Sequence, residues 1–337
     1  MMNNTTIDNL RRQATISVTD LAVGDHDLRF EFADRSIHCR LRIAGHAPNL
    51  VIGFHGAVDP RVRNPPIFVG FFGSLREKAH QLSIADPLVD GDISCSLTWY
   101  AGSATFNTQA IVSAISQGVS EGLKVKRTIY FGASGGGFAA LYFSHRHPGS
   151  FAVVGNPQTR ITKYFKAAIL RYMQGCWPSL EAPDQLSTVT CDDLVKLYSR
   201  GFDNTVIYVQ SAGDRTHTEN QLLPFAGAVA RTFDRKRFIL QSDFWGQMGH
   251  VNVAPTCLEW IHAICDSKTE TLEALLMSRH AYKTRSASTK LASTATTAGA
   301  RTARARIASP TDGQPLGAGA GLGKRLQAWR ATQGVTK

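Results

Sequence analysis

The chain has 337 residues, 43% hydrophobic and 19% charged, a balance that suits one large or two ordinary folded domains and excludes a wholly disordered protein. No run approaches the roughly 18 uninterrupted apolar residues of a membrane-spanning helix. The net charge of +11 resembles a nucleic-acid signature until it is mapped. From Lys283 to Lys337 there are ten Lys or Arg against one acid, Asp312, whereas residues 1–282 carry 27 basic and 25 acidic residues. The body is close to neutral, so nucleic-acid binding by a basic groove in the core is not expected.

In chain order, the start MMNNTTIDNLRRQATISV has no apolar h-region, and no cleaved secretory signal is expected. ATISVTDL, LRFEFAD and SIHCRLRIA alternate between Gly/Asp or Asp/Arg turns and predict antiparallel strands, a β extension over residues 1–48. Asn49–Gly56 is a short apolar run ending in glycine, the pattern of a buried central strand. Further strands are predicted at Ile93–Tyr100, Thr128–Phe131, Ala152–Val154, Thr205–Val209 and Arg237–Leu240. Helical patterns fall between them at Thr108–Gly122, Gly137–His147, Gln221–Phe233 and Cys257–Ser267. Such alternation implies right-handed crossovers and a mainly parallel sheet with helices on both faces, over residues 49–282.

One interval breaks that rhythm. Between Gly155 and about Gly201, helical pieces and a loop with Pro178 and Pro183 are inserted before the next strand, and this segment, about 156–201, is expected to lie over the strand ends as a cap. Its Phe165, Ile169, Leu170, Tyr172, Met173 and Trp177 suit either an acyl pocket or plain packing. The tail, 283–337, is Ala, Thr, Ser, Gly and Arg with few large apolar residues, and is expected to be disordered. Leu322, Leu326 and Trp329 beside Lys324, Arg325 and Arg330 would suit a short basic amphipathic helix for an anionic surface or a protein partner. Cys39, Cys95, Cys176, Cys191, Cys257 and Cys265 have no CxxC spacing, so neither a disulfide framework nor a zinc site is expected, and they read as reduced thiols of a cytoplasmic protein.

The chemistry concentrates at Thr128–Leu141, where Gly132-Ala133-Ser134-Gly135-Gly136 places G-x-S-x-G between an apolar strand and a helical pattern. That is the context of a nucleophile elbow, a turn so tight that the residues two before and two after the serine must be small. G-x-S-x-G alone occurs by chance, and Gly135-x-Gly137-x-x-Ala140 also fits a dinucleotide fingerprint. Against that rival, several strands precede the site and residues 151–162 contain no acid to hold a ribose.

A serine hydroxyl needs a base, and the base needs an orienting carboxylate. Asp214 follows the strand at Thr205–Val209, and His250 follows the strand at Arg237–Leu240. Asp203 and Asp243 are alternatives for the acid, and His217 sits in the acid loop as base or structural donor. A developing oxyanion needs N–H donors: Gly135 after the nucleophile, and Ala57, with Gly56 as the fallback, in the His55-Gly56-Ala57 turn. His55, Trp99, Asn156 and Gln158 are expected to contact substrate, Trp99 by stacking on a sugar. No metal or cofactor is expected.

The strand and His-Gly turn at Val51–Ala57, the elbow, Asp214 and His250 together resemble the α/β-hydrolase superfamily over roughly residues 49–265. Ser83–Pro87, Trp99–Gly102 and Gly155–Thr159 are more loosely similar to bacterial hydrolase-like proteins of cell-surface polysaccharide assembly. The resemblance implies a three-layer α/β sandwich and esterase or acyltransferase chemistry through an acyl-enzyme on Ser134, with an acylated carbohydrate as one substrate class. An idle hydrolase fold serving as a scaffold, with its tail as the contact point, is the rival expectation. Hydrolysis against transfer, the acyl group and the oligomeric state stay open at this point.

Overall fold

The computed structural model describes residues 4–59, 64–89 and 95–305, and the chain divides into two units, Met1–Arg285 and Ser286–Lys337. The elements are α1 (Asn4–Thr19), β1 (Gly24–Glu31), β2 (Ser36–Ile43), β3 (Asn49–Phe54), β4 (His80–Ile84), α2 (Thr108–Gly122), β5 (Arg127–Ala133), α3 (Gly135–His145) and β6 (Phe151–Gly155). They continue with α4 (Lys166–Cys176), α5 (Leu194–Tyr198), β7 (Thr205–Ser211), α6 (Arg215–His217), α7 (Leu223–Val229), β8 (Phe238–Asp243), α8 (Ala254–Asp266) and α9 (Leu272–Ala305). The tail expected to be disordered is described to Ala305, as part of α9, and its amphipathic Leu322–Arg330 stretch lies outside the described residues. Among the described residues, no helix is long and apolar enough to cross a membrane.

One eight-stranded sheet runs β1-β2-β4-β3-β5-β6-β7-β8. β1–β2 and β2–β4 pair antiparallel, and every later pair is parallel. Alternating side chains of each central strand feed two separate cores, which is what a strand buried on both faces requires. Leu50, Ile52, Phe54, Tyr130, Val206 and Tyr208 join the core under α1, α2, α3 and the insertion. Val51, Ile129, Phe131, Ile207 and Val209 join the core under α8 and the start of α9.

Two expectations are corrected. ATISVTDL is not a strand but the end of α1, because Leu10, Ala14 and Val18 recur every four residues and are 6%, 0% and 1% exposed against α2. The fit needs Gly118, where a Cβ would lie 2.8 Å from the Ala14 Cβ and overlap the Arg11 carbonyl. The fourth strand is not Ile93–Tyr100 but β4, and the described part of the predicted segment, Cys95–Tyr100, is a turn with Trp99 and Tyr100 at φ 55° and 56°. The insertion between β6 and β7 does carry helices. Its Ile169, Tyr172, Met173 and Trp177 are buried as packing, whereas Phe165 and Leu170 face solvent.

Candidate active site

The elbow is built by sterics. β5 ends at Ala133, α3 begins at Gly135, and Ser134 between them takes φ 55° and ψ −122°, a strained conformation over-determined by its surroundings. Its N–H donates to the Gly155 carbonyl of β6 at 3.0 Å, and its own carbonyl accepts from Gly137 and Phe138 at 3.1 and 3.3 Å. A Cβ on Gly132 would overlap the Gly136 carbonyl, and one on Gly136 would overlap the Phe54 carbonyl, so both flanking glycines are required by space.

The turn after β3 closes against the elbow, where a Cβ on Gly56 would sit 3.0 Å from the Ala133 carbonyl and 3.5 Å from the Ser134 Cβ. Among the described residues, no acceptor engages the N–H of Gly135 or of Ala57, which leaves both expected oxyanion donors available. A buried network that sequence reasoning missed holds this turn. Asp86 accepts from Thr98 Oγ1 at 2.5 Å, Tyr100 N–H at 2.9 Å and Leu88 N–H at 3.1 Å. The Asp86 N–H donates to His55 Nε2 at 3.1 Å, so the His55 proton resides on Nδ1 and is donated to the Gly56 carbonyl at 2.8 Å. Burial pushes the Asp86 carboxyl above the usual carboxylate range. His55, expected to contact substrate, is 6% exposed and holds the turn through its bonds to Asp86 and Gly56.

Asp214 lies just past β7, where its carboxylate caps α6 by accepting the His217 N–H at 3.2 Å on Oδ1. Oδ2 accepts from His250 Nδ1 at 2.7 Å. An ionised carboxylate can only accept, so Nδ1 of His250 carries the proton and Nε2 is left as the basic nitrogen. The segment bearing His250 docks on the acid turn through Gly249 N–H to the Gly213 carbonyl, 2.7 Å. That approach needs Gly213, because a Cβ there would stand 2.6 Å from the Gln247 carbonyl. Burial pushes the Asp214 carboxyl up, but bonding to His250 and the attraction of His217 outweigh it, and the group sits below its ordinary range.

His217 is buried beneath His250, with ring centroids 4.6 Å apart. Its Nδ1 is 2.8 Å from Asp214 Oδ2 but too badly aligned for a hydrogen bond. Burial holds this imidazole below its usual range, partly offset by Asp214. Asp214, His217 and His250 bring donor atoms within 4.8 Å of one another. The 2.7 and 2.8 Å separations are those of a carboxylate–imidazole cluster, since ligands at ~2.0–2.1 Å around a tetrahedral zinc stand about 3.3 Å apart.

Ser134 and His250 are not hydrogen-bonded to each other. Ser134 Oγ instead accepts from Gln158 Nε2 at 3.0 Å. Asn156, 1% exposed, braces the His250 segment: its Nδ2 donates to the Val251 carbonyl at 2.9 Å, and its Oδ1 accepts from Ser211 N–H of β7 at 2.7 Å. Trp99 is 1% exposed and cannot stack on a sugar; its Nε1 donates to Gln158 Oε1. His145 and His147 bond Gly201 and Tyr130, away from the elbow.

No family model and no curated protein matches the sequence. Among solved structures, the capsule O-acetyltransferase of Neisseria meningitidis serogroup A is similar at 18% identity and TM-score 0.50, covering 70% of this chain and 93% of that one. The acylaminoacyl peptidase of Pyrococcus horikoshii is similar at 12% identity and TM-score 0.50, covering 77% of this chain and 46% of that one. At these identities the likeness is one of fold, and with the mainly parallel eight-stranded sheet it makes the chain an α/β-hydrolase-fold protein.

Proposed function

We propose that this protein is a serine acyl-transfer enzyme working through an acyl-enzyme on Ser134. The observation that carries the reading is the 2.7 Å bond between Asp214 and His250, which fixes the imidazole tautomer with Nε2 basic, on the same sheet edge as the strained elbow serine. His250 Nε2 takes the Ser134 proton as Oγ attacks an ester carbonyl, and returns it to the leaving alcohol. The Gly135 and Ala57 N–H groups stabilise the developing oxyanion. Direct contact between Ser134 and His250 requires a rearrangement, and the His250 segment has glycine at φ 81° and 89° at positions 246 and 249.

Acceptor choice, water or an alcohol, separates esterase from acyltransferase. A carbohydrate hydroxyl or ester is the proposed substrate class. It is supported by the fold shared with a capsule O-acetyltransferase. A fluorophosphonate probe should label the wild type and leave Ser134→Ala unlabelled. Equal labelling of both would end this reading. A panel of acyl esters, with and without a sugar acceptor, followed by intact mass, then identifies the acyl group retained on Ser134 and whether the sugar receives it.

A further inference from the structure

The relay of Ser134, His250 and Asp214 leaves out the side chain that touches the nucleophile. Gln158 is fully buried on the segment after β6, and both ends of its amide are engaged. Trp99 Nε1 donates to Oε1, and Nε2 donates to Ser134 Oγ at 3.0 Å. An indole nitrogen can only donate, so Trp99 decides which end of the amide is oxygen, and the end facing Ser134 is the NH2. Trp99 is itself clamped. It is 1% exposed, its backbone is held at φ 55°, and its ring packs edge-on to Tyr164 and Tyr172 at 6.1 and 5.5 Å. With one acceptor site of Oγ occupied by Gln158, the hydroxyl proton is left to be donated to a base.

We infer that Gln158, oriented by Trp99, is a catalytic hydrogen-bond donor to Ser134 Oγ and acts chiefly when that oxygen leaves the acyl-enzyme. This rests on the serine acyl-enzyme reading above. In deacylation the acceptor hydroxyl gives its proton to His250 Nε2 and its oxygen bonds to the acyl carbon. The bond from that carbon to Ser134 Oγ then breaks, its electron pair passes to Oγ, and His250 returns the proton there. An ester oxygen accepts hydrogen bonds poorly, whereas a departing alkoxide accepts them strongly, so the Gln158 bond strengthens from ground state to transition state. Only such differential binding raises a rate. In acylation the free hydroxyl already accepts this bond, and the gain is smaller.

Burst kinetics with a p-nitrophenyl ester separate the two steps. Gln158→Glu keeps the shape and an oxygen for Trp99, but an ionised carboxylate cannot donate to Oγ. Its steady-state rate should fall about 10- to 100-fold, with a smaller effect on the burst. The ratio of Gln158→Glu to wild-type rate should rise as pH falls into the carboxyl range, because a protonated glutamic acid donates again. Gln158→Leu should show the loss without that pH-dependent recovery, and Trp99→Phe, which frees the amide to turn over, a smaller loss of the same kind. Thermal melts establish which variants fold, and if Gln158→Leu does not, the pH ratio of Gln158→Glu decides. A Gln158→Glu enzyme with the wild-type steady-state rate, or a loss equal in both phases with a flat pH ratio, would overturn the inference while fluorophosphonate labelling of the wild type stands. A wild type that the probe does not label would overturn the acyl-enzyme reading and this inference with it.

Discussion

Gly213→Ala tests whether the contact between the acid turn and the His250 segment carries the chemistry. The φ of Gly213 lies outside the left-handed region, so alanine meets no backbone penalty and the whole effect comes from space. Its Cβ would stand 2.6 Å from the Gln247 carbonyl and 3.1 Å from the Met248 Cα. Restoring an ordinary contact of 3.4 Å or more moves the segment by about 0.8 Å. That breaks the 2.7 Å bond from Gly249 N–H to the Gly213 carbonyl and pulls His250 off Asp214. A displacement near 1 Å in a catalytic group costs about 100-fold in rate. The stability cost is that of one backbone hydrogen bond at the surface, about 1 kcal/mol. The second-order rate of fluorophosphonate labelling, measured beside a thermal melt, separates the two quantities. Gly213→Ala labelled at the wild-type rate would refute the argument that this close approach seats the base.

Two further perturbations address the scaffold. Burial, with help from Lys78, holds the His262 imidazole down at about 4 against an ordinary 6.5. Its contribution to stability is therefore fully present above pH 6.5 and is lost as pH falls towards 4, by roughly 3 kcal/mol over the whole range. Gln in its place still reaches Ser74, so the stability difference between wild type and His262→Gln, from denaturant unfolding at several pH values, should shift by that order between pH 6.5 and 4; a difference independent of pH would contradict the burial argument. Gly118→Ala should lower stability by about 1–3 kcal/mol through overpacking, since a Cβ would overlap the Arg11 carbonyl of α1. A glycine-to-alanine change inside a helix otherwise stabilises by up to about 1 kcal/mol, so the sign of the melting shift decides.

Elements that carry a continuous apolar run or a clear apolar period were legible in the sequence: β3, β5, β6 and β7 coincide with apolar runs, and α2 with a clear helical period. β4 was hidden because three of its five buried residues, His80, Gln81 and Ser83, are polar. Gln81 and Ser83 are 0% exposed and accept the Phe72 and Val69 N–H groups, so a central strand reads as a mixed segment. The opposite error came at Trp99 and Tyr100, whose apolar character reflects burial in a turn around Asp86 and not strand pairing. At the site, Asp214 and His250 could be placed because each follows a strand in the expected order, and the structure joins them. Which polar groups face outward was not legible. His55, Trp99, Asn156 and Gln158 are each buried and hydrogen-bonded within the fold, and hydrogen-bond direction depends on neighbours distant in the chain. The sequence holds no local sign that Trp99 would meet Gln158.

β8 is the outermost strand of the parallel end of the sheet, and none of its side chains is fully buried. Ser134 follows β5, which has strands on both sides, but His250 hangs from the segment beyond this margin. Amide groups at a sheet margin exchange and fray at lower cost than those in its centre. Under the proposed mechanism the reaction would depend at one end on the centre of the sheet and at the other on its margin, so warming would loosen His250 before it disturbs Ser134.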